Sequence, residues 1–402
     1  MDSRNPLVFN GEISSPKKKE KLEQSEEYFS KWSELPDEIT ETIIDRLGFP
    51  DILRFGSVCM PWRSVSLETL RRRSLSSRPY NPMVLFEYNL EKGTFGFFSF
   101  EESRVYWLNI EGSPAAQCIG CSKGWLVMLS PNHTYCFLLN PFTGIRIDLP
   151  YLNKPKVDDF SKVILISNPL DISSKTMNFH CTVVALNLST ELNICSLGEL
   201  YWTVMKVDDH GQIIYSPIFH KGEVYSLAGI DELWILNLAA PKPESHKCKV
   251  SFPEEDIVNG HEYYIDCYLV ASEDNLLMVL RLKTKTPIKT VKFMIYKLVE
   301  NHHKGNDSKA AEYIWERELF LADDQALFVG NYVSISVSTT ECRGLQGNSI
   351  YFTDDKLPKS SGPDHEYPET GIYKVESGDI VPYLPFNLYP FDMPHIWITP
   401  SI

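Results

Sequence analysis

From Met83 onward, short apolar segments alternate with polar turns rich in Asn, Asp, Gly and Pro. Segments such as FGFFSF, ELYWTVMK and YYIDCYLVA combine β-branched and aromatic residues with a period of two. This pattern is typical of strands in antiparallel sheets, and helical periodicity is nearly absent after Arg73. A chain of 402 residues exceeds one ordinary core, so it forms either two domains or one unusually large all-β domain. Tryptophans predicted to fill the core of this region include Trp107, Trp202 and Trp234.

A weak internal repeat organises these segments. Stretches near Gly124, Gly222 and Asn348 share one order: an apolar strand, a turn, a second strand, a polar turn, and a closing apolar residue followed by Pro. Each stretch predicts a pair of adjacent antiparallel strands, and recurrence at intervals of tens of residues is typical of propeller blades. Roughly two dozen strands at four per blade predict about six blades, with seven also possible.

The segment at residues 32–65 has a different periodicity. Pro36 suits the first position of a helix, and Ile39, Ile43 and Leu47 recur at a spacing of four, which predicts one apolar helical face. A Gly-Phe-Pro break then precedes a second helix, and a further proline precedes a third, short one. Three helices of this size cannot bury so many apolar groups, so we expect some of these side chains to contact a partner protein.

These patterns divide the chain into a flexible N-terminal arm at residues 1–31, a helical unit at 32–75 and a β domain at 76–402. The formal net charge of −14 disfavours nucleic acids and anionic membranes as partners. The chain opens with no signal-peptide pattern, and no apolar run approaches the roughly 18 residues that a bilayer span needs. We therefore expect a soluble protein in the cytoplasm, the nucleus or both.

The stretch LPDEITETIIDRLGFPDILRFGSVCMPWRSV resembles the F-box, with its Leu-Pro, acidic first turn, spaced Ile and Leu, Gly/Pro break, Val-Cys and Trp-Arg. The rest of the chain resembles plant F-box proteins whose C-terminal half is a domain of unknown function related in pattern to kelch-type propellers. The segments QALFVGNYVSISVS, GNSIYFTDD and HIWITP carry that similarity, although the regular Gly-Gly pairs of kelch repeats are missing. The expected fold is α+β and multidomain: a small three-helix F-box followed by an all-β propeller-like domain.

The resemblance also implies a function. An F-box docks on a Skp-type adaptor, which joins it to a cullin and a RING ubiquitin ligase, while the propeller loops hold a target protein. The protein would be a non-catalytic receptor subunit that needs no cofactor. Burying a large apolar side chain is worth roughly 1.5 to 3 kcal/mol, so a handful of them gives a tight docking site. The residues expected to contribute to adaptor binding, some by holding the helices together, are Leu35, Pro36, Ile39, Ile43, Leu47, Val58 and Trp62.

Two other functions are compatible with the sequence. One is a propeller hydrolase with a polar central channel, to which the helical unit is an adaptor tail. The other is a protein that sequesters the adaptor without supporting ubiquitin transfer. The sequence contains no P-loop, Gly-x-Gly-x-x-Gly fingerprint, Gly-x-Ser-x-Gly elbow or His-Glu-x-x-His motif.

Four residues imitate the spacing of a zinc site: Cys118 and Cys121, followed by His133 and Cys136. A lone Cys-x-x-Cys is a weak signal, and His133 and Cys136 fall in an apparent strand-turn-strand unit. We therefore interpret the cysteines as buried strand thiols and expect no metal site.

Overall fold

The computed structural model divides the chain into two compact units, one that ends at Pro79 and one that runs from Tyr80 to Ser401. The predicted arm at residues 1–31 lies outside the described residues, and so does His133. The structure describes residues 32–401 except 76–79, 90, 111–114, 133, 152–159, 171–175, 188–190, 207–214, 240–242, 254–261, 303–310, 331, 341, 354–368 and 384–394.

The described part of the first unit contains the helices α1 (Asp37–Ile44), α2 (Phe49–Phe55) and α3 (Met60–Leu75). The three-helix prediction is confirmed, but the prediction of a short third helix is wrong, because α3 spans 16 residues. Pro61 lies in the first turn of α3, where a missing N–H costs no helical hydrogen bond. Pro61, which was predicted to break the chain between two helices, therefore lies in the first turn of α3, the longest of the described helices.

The core of the helical unit differs in detail from the predicted apolar face. α1 buries Thr40 and Ile44, whereas Ile39 and Ile43 lie on a neighbouring face and Leu47 lies beyond the end of the helix. α1 therefore offers the core a narrower apolar surface than its sequence suggests. The other buried apolar residues of the unit are Phe49, Ile52, Val65 and Leu70.

The second unit is built from twenty-five strands among its described residues. They form six blades of mostly antiparallel strands, in which sequence neighbours pair edge to edge. The strands of the first three blades are β1 (Met83–Asn89), β2 (Thr94–Ser99) and β3 (Arg104–Asn109) in blade 1; β4 (Gln117–Ser122), β5 (Trp125–Leu129), β6 (Cys136–Leu139) and β7 (Arg146–Asp148) in blade 2; β8 (Phe160–Leu165), β9 (Thr182–Asn187), β10 (Glu191–Ser196) and β11 (Thr203–Lys206) in blade 3.

The remaining blades follow the same order, and the last strand of the chain returns to blade 1. These strands are β12 (Tyr215–His220), β13 (Glu223–Leu227), β14 (Glu232–Asn237) and β15 (Glu244–Ser251) in blade 4; β16 (Tyr263–Ser272), β17 (Asn275–Thr284), β18 (Thr290–Glu300) and β19 (Tyr313–Glu318) in blade 5; β20 (Gln325–Val329), β21 (Ser334–Ser338), β22 (Ser349–Phe352), β23 (Gly371–Lys374) and β24 (Ile380–Val381) in blade 6; and β25 (His395–Ile398) in blade 1.

Two blades depart from a plain four-stranded meander. Blades 4 and 5 are joined into one eight-stranded sheet, because β15 pairs with β19 in parallel through Val250–Tyr313 and Ser251–Ile314. In blade 6 the strand order is β21-β20-β22-β23-β24, so that β22 runs parallel to β20. Both features are parallel contacts inside an otherwise antiparallel domain.

Six apolar clusters show that the blades close into a ring. Each cluster contains buried residues from two blades, and together they cover the pairs 1–2, 2–3, 3–4, 4–5, 5–6 and 6–1. The pair 6–1 closes the ring, because Phe328 of blade 6 and Trp397 of blade 1 belong to the same cluster. The propeller prediction is confirmed, and the ring has six blades rather than seven.

The ring is closed by the C-terminal strand. β25 pairs antiparallel with β1, from Met83–Ile398 to Phe86–His395, and is the inner edge strand of blade 1. The indole N–H of Trp397 donates to the backbone carbonyl of Val329 in blade 6, at 3.0 Å. The two ends of the propeller are therefore held together by one strand ladder and by the packing of that strand on the last blade.

The predicted tryptophan positions are confirmed in two cases and wrong in one. Trp202 and Trp234 are buried, whereas Trp107 is 49% exposed. Trp107 lies on β3, the outer edge strand of blade 1, where alternate side chains face solvent. Its ring contacts Phe86 edge-on, with ring centroids 5.6 Å apart.

His395 makes the closing strand sensitive to pH. The side chain is 1% exposed, and neither ring nitrogen has a hydrogen-bond partner in the described structure. Burial lowers the pKa of His395 from 6.5 to about 4. The unfolded chain therefore takes up a proton at this residue below about pH 6.5, while the folded chain does so only below about pH 4. The stabilisation is complete above pH 6.5 and decreases as the pH falls through this window.

We expect urea unfolding at pH 5 to give the wild type a free energy of unfolding about 2 kcal/mol lower than at pH 7 through this residue alone. The variant His395→Leu removes the titration, so the wild-type loss between pH 7 and pH 5 should exceed the loss in the variant by that amount. Equal losses in the two proteins would show that His395 is hydrated or paired when the protein is folded.

Candidate functional site

The helical unit exposes several large apolar side chains. The exposed fraction is 50% for Ile39, 59% for Val58 and 74% for Met60. Trp32, at the beginning of the described chain, is 55% exposed. Isolated exposed apolar groups are ordinary, but this many in a unit of three helices is typical of a surface that binds another protein.

The residues expected at the adaptor contact occupy three kinds of position. Pro36, Ile39 and Val58 are exposed, and Leu35, Ile43 and Leu47 are partly buried. Trp62 instead packs against another helix of the unit. Its ring stacks on that of Phe55, with ring centroids 4.1 Å apart and an interplanar angle of 7°. Its indole N–H also donates to the carbonyl of Trp32 at 3.1 Å, so Trp62 ties α3 to α2 and to the segment before α1.

Pro36 fixes the beginning of α1. Its backbone is extended, with φ −54° and ψ 143°, and its carbonyl accepts the backbone N–H groups of Ile39 and Thr40. The hydroxyl of Thr40 donates to the same carbonyl at 3.2 Å. Because proline restricts φ to this region, the chain before α1 has a defined direction, which presents Leu35 and Pro36 beside the first turn.

Ion pairs connect α1 to α3. Arg72 lies 2.8 Å from Glu41, and Arg73 lies 3.2 Å from Asp45. Arg73 also donates to the carbonyl of Ile44, at the end of α1, where a cation complements the helix dipole. Exposed pairs of this kind contribute little stability each, so their main effect is to set the orientation of the two helices.

Three of the exposed apolar residues are absent from the predicted set, namely Trp32, Met60 and Leu67. Met60 and Trp32 are among the most exposed large side chains of the unit. Met60 is the first residue of α3 and Trp32 lies ahead of the Leu-Pro pair, so neither belongs to the apolar spacing of Ile39, Ile43 and Leu47. The signal that could have identified them is their large apolar character, beside Pro61 in one case and ahead of α1 in the other.

The three cysteines of the zinc-like spacing lie on both faces of one sheet. Cys118 and Cys121 lie on β4 and pack into the cluster between blades 1 and 2. Cys136 lies on β6 and packs into the cluster between blades 2 and 3, on the opposite face of the same sheet. Burial raises the pKa of both Cys121 and Cys136 to about 12, so they remain protonated thiols near neutral pH. Among the described residues, no group of three or more His, Cys, Asp or Glu side chains could hold a metal ion.

We therefore expect elemental analysis of the purified protein to find no stoichiometric zinc. A metal ion would need thiolates from one side of the sheet, whereas Cys121 and Cys136 face opposite clusters. Cys121→Ser is the matched variant, and it should have the same metal content as the wild type. One zinc per chain in the wild type, lost in this variant, would contradict the expectation.

The helices of the described ranges include none that is both long and apolar enough to cross a bilayer.

Comparison with known sequences gives two family matches. The F-box domain model matches residues 32–72, the span of α1, α2 and most of α3. The KIB1-4 beta-propeller model matches residues 97–376, from blade 1 into blade 6. The two matches fall on the helical unit and on the propeller, respectively.

Similar proteins occur in Arabidopsis thaliana. Probable F-box protein At4g22060 is 25% identical over 382 residues, which cover 85% of this chain and 88% of the relative. Putative F-box protein At4g17565 is 25% identical over 366 residues, covering 88% and 90%. F-box/kelch-repeat protein KIB1 is 23% identical over 358 residues, covering 87% and 82%. The alignments cover most of this chain and of each relative. Because the propeller model alone spans more than half of the chain, this protein belongs to the KIB1-4 beta-propeller family and carries an F-box domain ahead of its propeller.

Proposed function

We propose that this protein is the substrate-recognition subunit of an SCF-type E3 ubiquitin ligase. The observation that carries the proposal is the F-box match at residues 32–72, together with the exposed apolar side chains of that unit. F-box domains generally bind Skp-type adaptors, which connect them to a cullin and a RING protein. The residues proposed to contribute to this contact are Leu35, Pro36, Ile39, Ile43, Leu47, Val58 and Trp62.

In this proposal the protein performs no chemistry of its own. Ubiquitin transfer is accelerated because the target lysine and the charged ubiquitin-conjugating enzyme are kept close together, which makes the reaction effectively intramolecular. The contribution of this chain is to bind two partners at once, the adaptor through the F-box and a target through the propeller. The complex would act in the cytoplasm, the nucleus or both.

The propeller surface supports a role in target binding. Leu200 and Tyr201, in the turn between β10 and β11, are 77% and 72% exposed. Phe179 is 62% exposed and packs over Gly198, where an added Cβ would lie 2.8 Å from its ring. Exposed large apolar groups on neighbouring loops of a rigid scaffold are a frequent feature of protein-binding sites.

The proposal is tested by co-purification and by reconstitution. The tagged full-length chain should retain a purified plant Skp-type adaptor, and the complex with cullin and RING subunits should transfer ubiquitin to proteins that bind the propeller. Failure to bind the adaptor would contradict the ligase proposal and favour the hydrolase alternative. Adaptor binding without ubiquitin transfer to any bound protein would favour a sequestering protein instead.

A further inference from the structure

A cavity of about 280 Å³ lies at the centre of the propeller ring. It is bounded by the inner strands of the blades, so all six blades contribute at least one residue to its wall. The polar residues that line it are Ser122, Lys123, Lys162, Tyr332, Ser334, Ser336 and Thr399.

The polar lining of this central cavity is cationic. Lys123 and Lys162 both belong to it, and its described lining residues include no aspartate or glutamate. Lys162 is only 4% exposed. The chain as a whole carries a net charge of −14, so a wall with two lysines and no carboxylate differs in sign from the average of the protein. Such a cavity attracts small anions.

A second, independent feature of the cavity is an unsatisfied hydroxyl. The side-chain oxygen of Ser334 is buried and has no hydrogen-bond partner in the described structure. Its neighbour Ser336, by contrast, contacts Ser272 at 3.1 Å and accepts from Gln325 at 3.0 Å. A buried hydroxyl without a partner costs free energy, so the cavity wall contains an unsatisfied polar group at Ser334.

Blades 2 and 4 contain equivalent hairpins, and each has a lysine in its turn. In blade 2 and in blade 4 the inner strand is joined to the next strand by a Lys-Gly turn: Lys123-Gly124 and Lys221-Gly222. The φ angles are 51° and 78° in the first turn and 47° and 91° in the second, the positive values that a two-residue I′ turn requires. The two lysines therefore occupy the same position in their blades.

The surroundings of these two lysines differ. Lys221 lies 3.2 Å from Asp274, a carboxylate in the corresponding turn of blade 5, and it does not line the cavity. Lys123 lines the cavity and forms no ion pair with any described residue. The side chain of Lys123 is exposed, yet the partial burial of its charge lowers the pKa of its ammonium group, a change that an anion beside it would oppose. Lys221 thus has a counterion in the neighbouring blade 5, whereas Lys123 lines the central cavity without an ion-pair partner among the described residues.

We propose that the central cavity binds a small organic anion, through ion pairing of its phosphate or carboxylate group with Lys123 and Lys162. The size of the cavity excludes a folded peptide segment and suits a single small molecule. The apolar part of the ligand would contact Ile164, Phe219 and Ile335, which also line the cavity. This inference does not depend on adaptor binding by the F-box.

The test is calorimetric titration of the full-length protein with three aromatic probes of similar size. Phenyl phosphate represents phosphates, benzoate represents carboxylates and benzyl alcohol is the uncharged control. We expect saturable binding of at least one anion and none of the alcohol. Binding of phenyl phosphate alone or of benzoate alone would identify which of the two groups the site prefers. Absence of saturable binding of both anions up to about 10 mM would overturn the proposal.

Matched variants locate the site. Lys123→Ala should weaken binding of the anion about tenfold or more, because a charge-assisted contact is lost. Lys221→Ala removes the same side chain from the equivalent turn of blade 4 and should change the dissociation constant less than about twofold. Ser334→Ala removes the unsatisfied hydroxyl and should leave the melting temperature at or above that of the wild type. Equal effects of the two lysine variants would place the anion outside the cavity and refute the assignment.

Discussion

Removal of residues 395–402 is expected to abolish the folded propeller. The deletion removes β25, and with it the ladder to β1 and the buried side chains of Ile396, Trp397 and Ile398, which are 2%, 1% and 0% exposed. Burial of three such side chains is worth about 5 to 9 kcal/mol, which is comparable to the whole stability of a typical domain. We expect the truncated protein to be insoluble, or soluble without a cooperative thermal transition by circular dichroism.

Two tryptophan substitutions in blade 1 distinguish the loss of ring closure from a general loss of buried aromatic surface. Trp397→Ala removes a fully buried side chain on the inner edge strand and should lower the free energy of unfolding by about 3 to 5 kcal/mol. Trp107→Ala removes a half-exposed side chain on the outer edge strand of that blade and should cost about 1 kcal/mol or less. A truncated chain that melts like the wild type would show that the ring does not depend on β25.

The double variant Leu35→Ala, Pro36→Ala is expected to abolish binding of the Skp-type adaptor and leave the propeller intact. Leu35 is only partly buried and Pro36 is exposed, so both can reach a partner at the beginning of α1. Truncating a central apolar anchor costs about 2 kcal/mol or more, roughly a thirtyfold loss of affinity. Loss of Pro36 also frees φ at the position whose carbonyl begins α1. The measurement is a pull-down with purified adaptor beside a circular dichroism spectrum.

Three single variants distinguish a lost adaptor contact from a loss of stability or a change on the propeller. Ile39→Asp places a charge at a half-exposed position on α1 and should weaken adaptor binding with little loss of helicity. Ile44→Ala removes a side chain that is 0% exposed and should lower the stability of the helical unit itself. Tyr201→Ala removes an exposed aromatic ring from the propeller and should leave adaptor binding unchanged. Undiminished binding by the well-folded double variant would refute the assignment of Leu35 and Pro36.

Much of the architecture could be predicted because it depends on residues close in sequence. The period of two after Met83 reflects side chains that alternate between the faces of a strand, and it identified most of the blade strands. The Lys-Gly turns at 123–124 and 221–222 join adjacent strands by local geometry alone. The apolar spacing around Ile39 and Ile43 identified α1, although the helix buries Thr40 and Ile44 and ends before Leu47. The spacing of apolar residues shows that a helix has an apolar face, but it does not show which residues of that face are buried in the core.

Blade number, ring closure and the polar contacts between blades depend on residues that are far apart in the sequence. Arg281 is 0% exposed and donates to Glu369 at 3.3 Å, a residue 88 positions away, and its guanidinium lies 4.5 Å from the centre of the Phe352 ring. β25 pairs with β1 across more than 300 residues. The helices, most strands and the turns could be predicted, because these depend on backbone geometry and on neighbours a few residues apart. The sequence could not determine which distant strands meet or which lysine faces the central cavity, because those contacts depend on how whole blades pack and no local pattern records them.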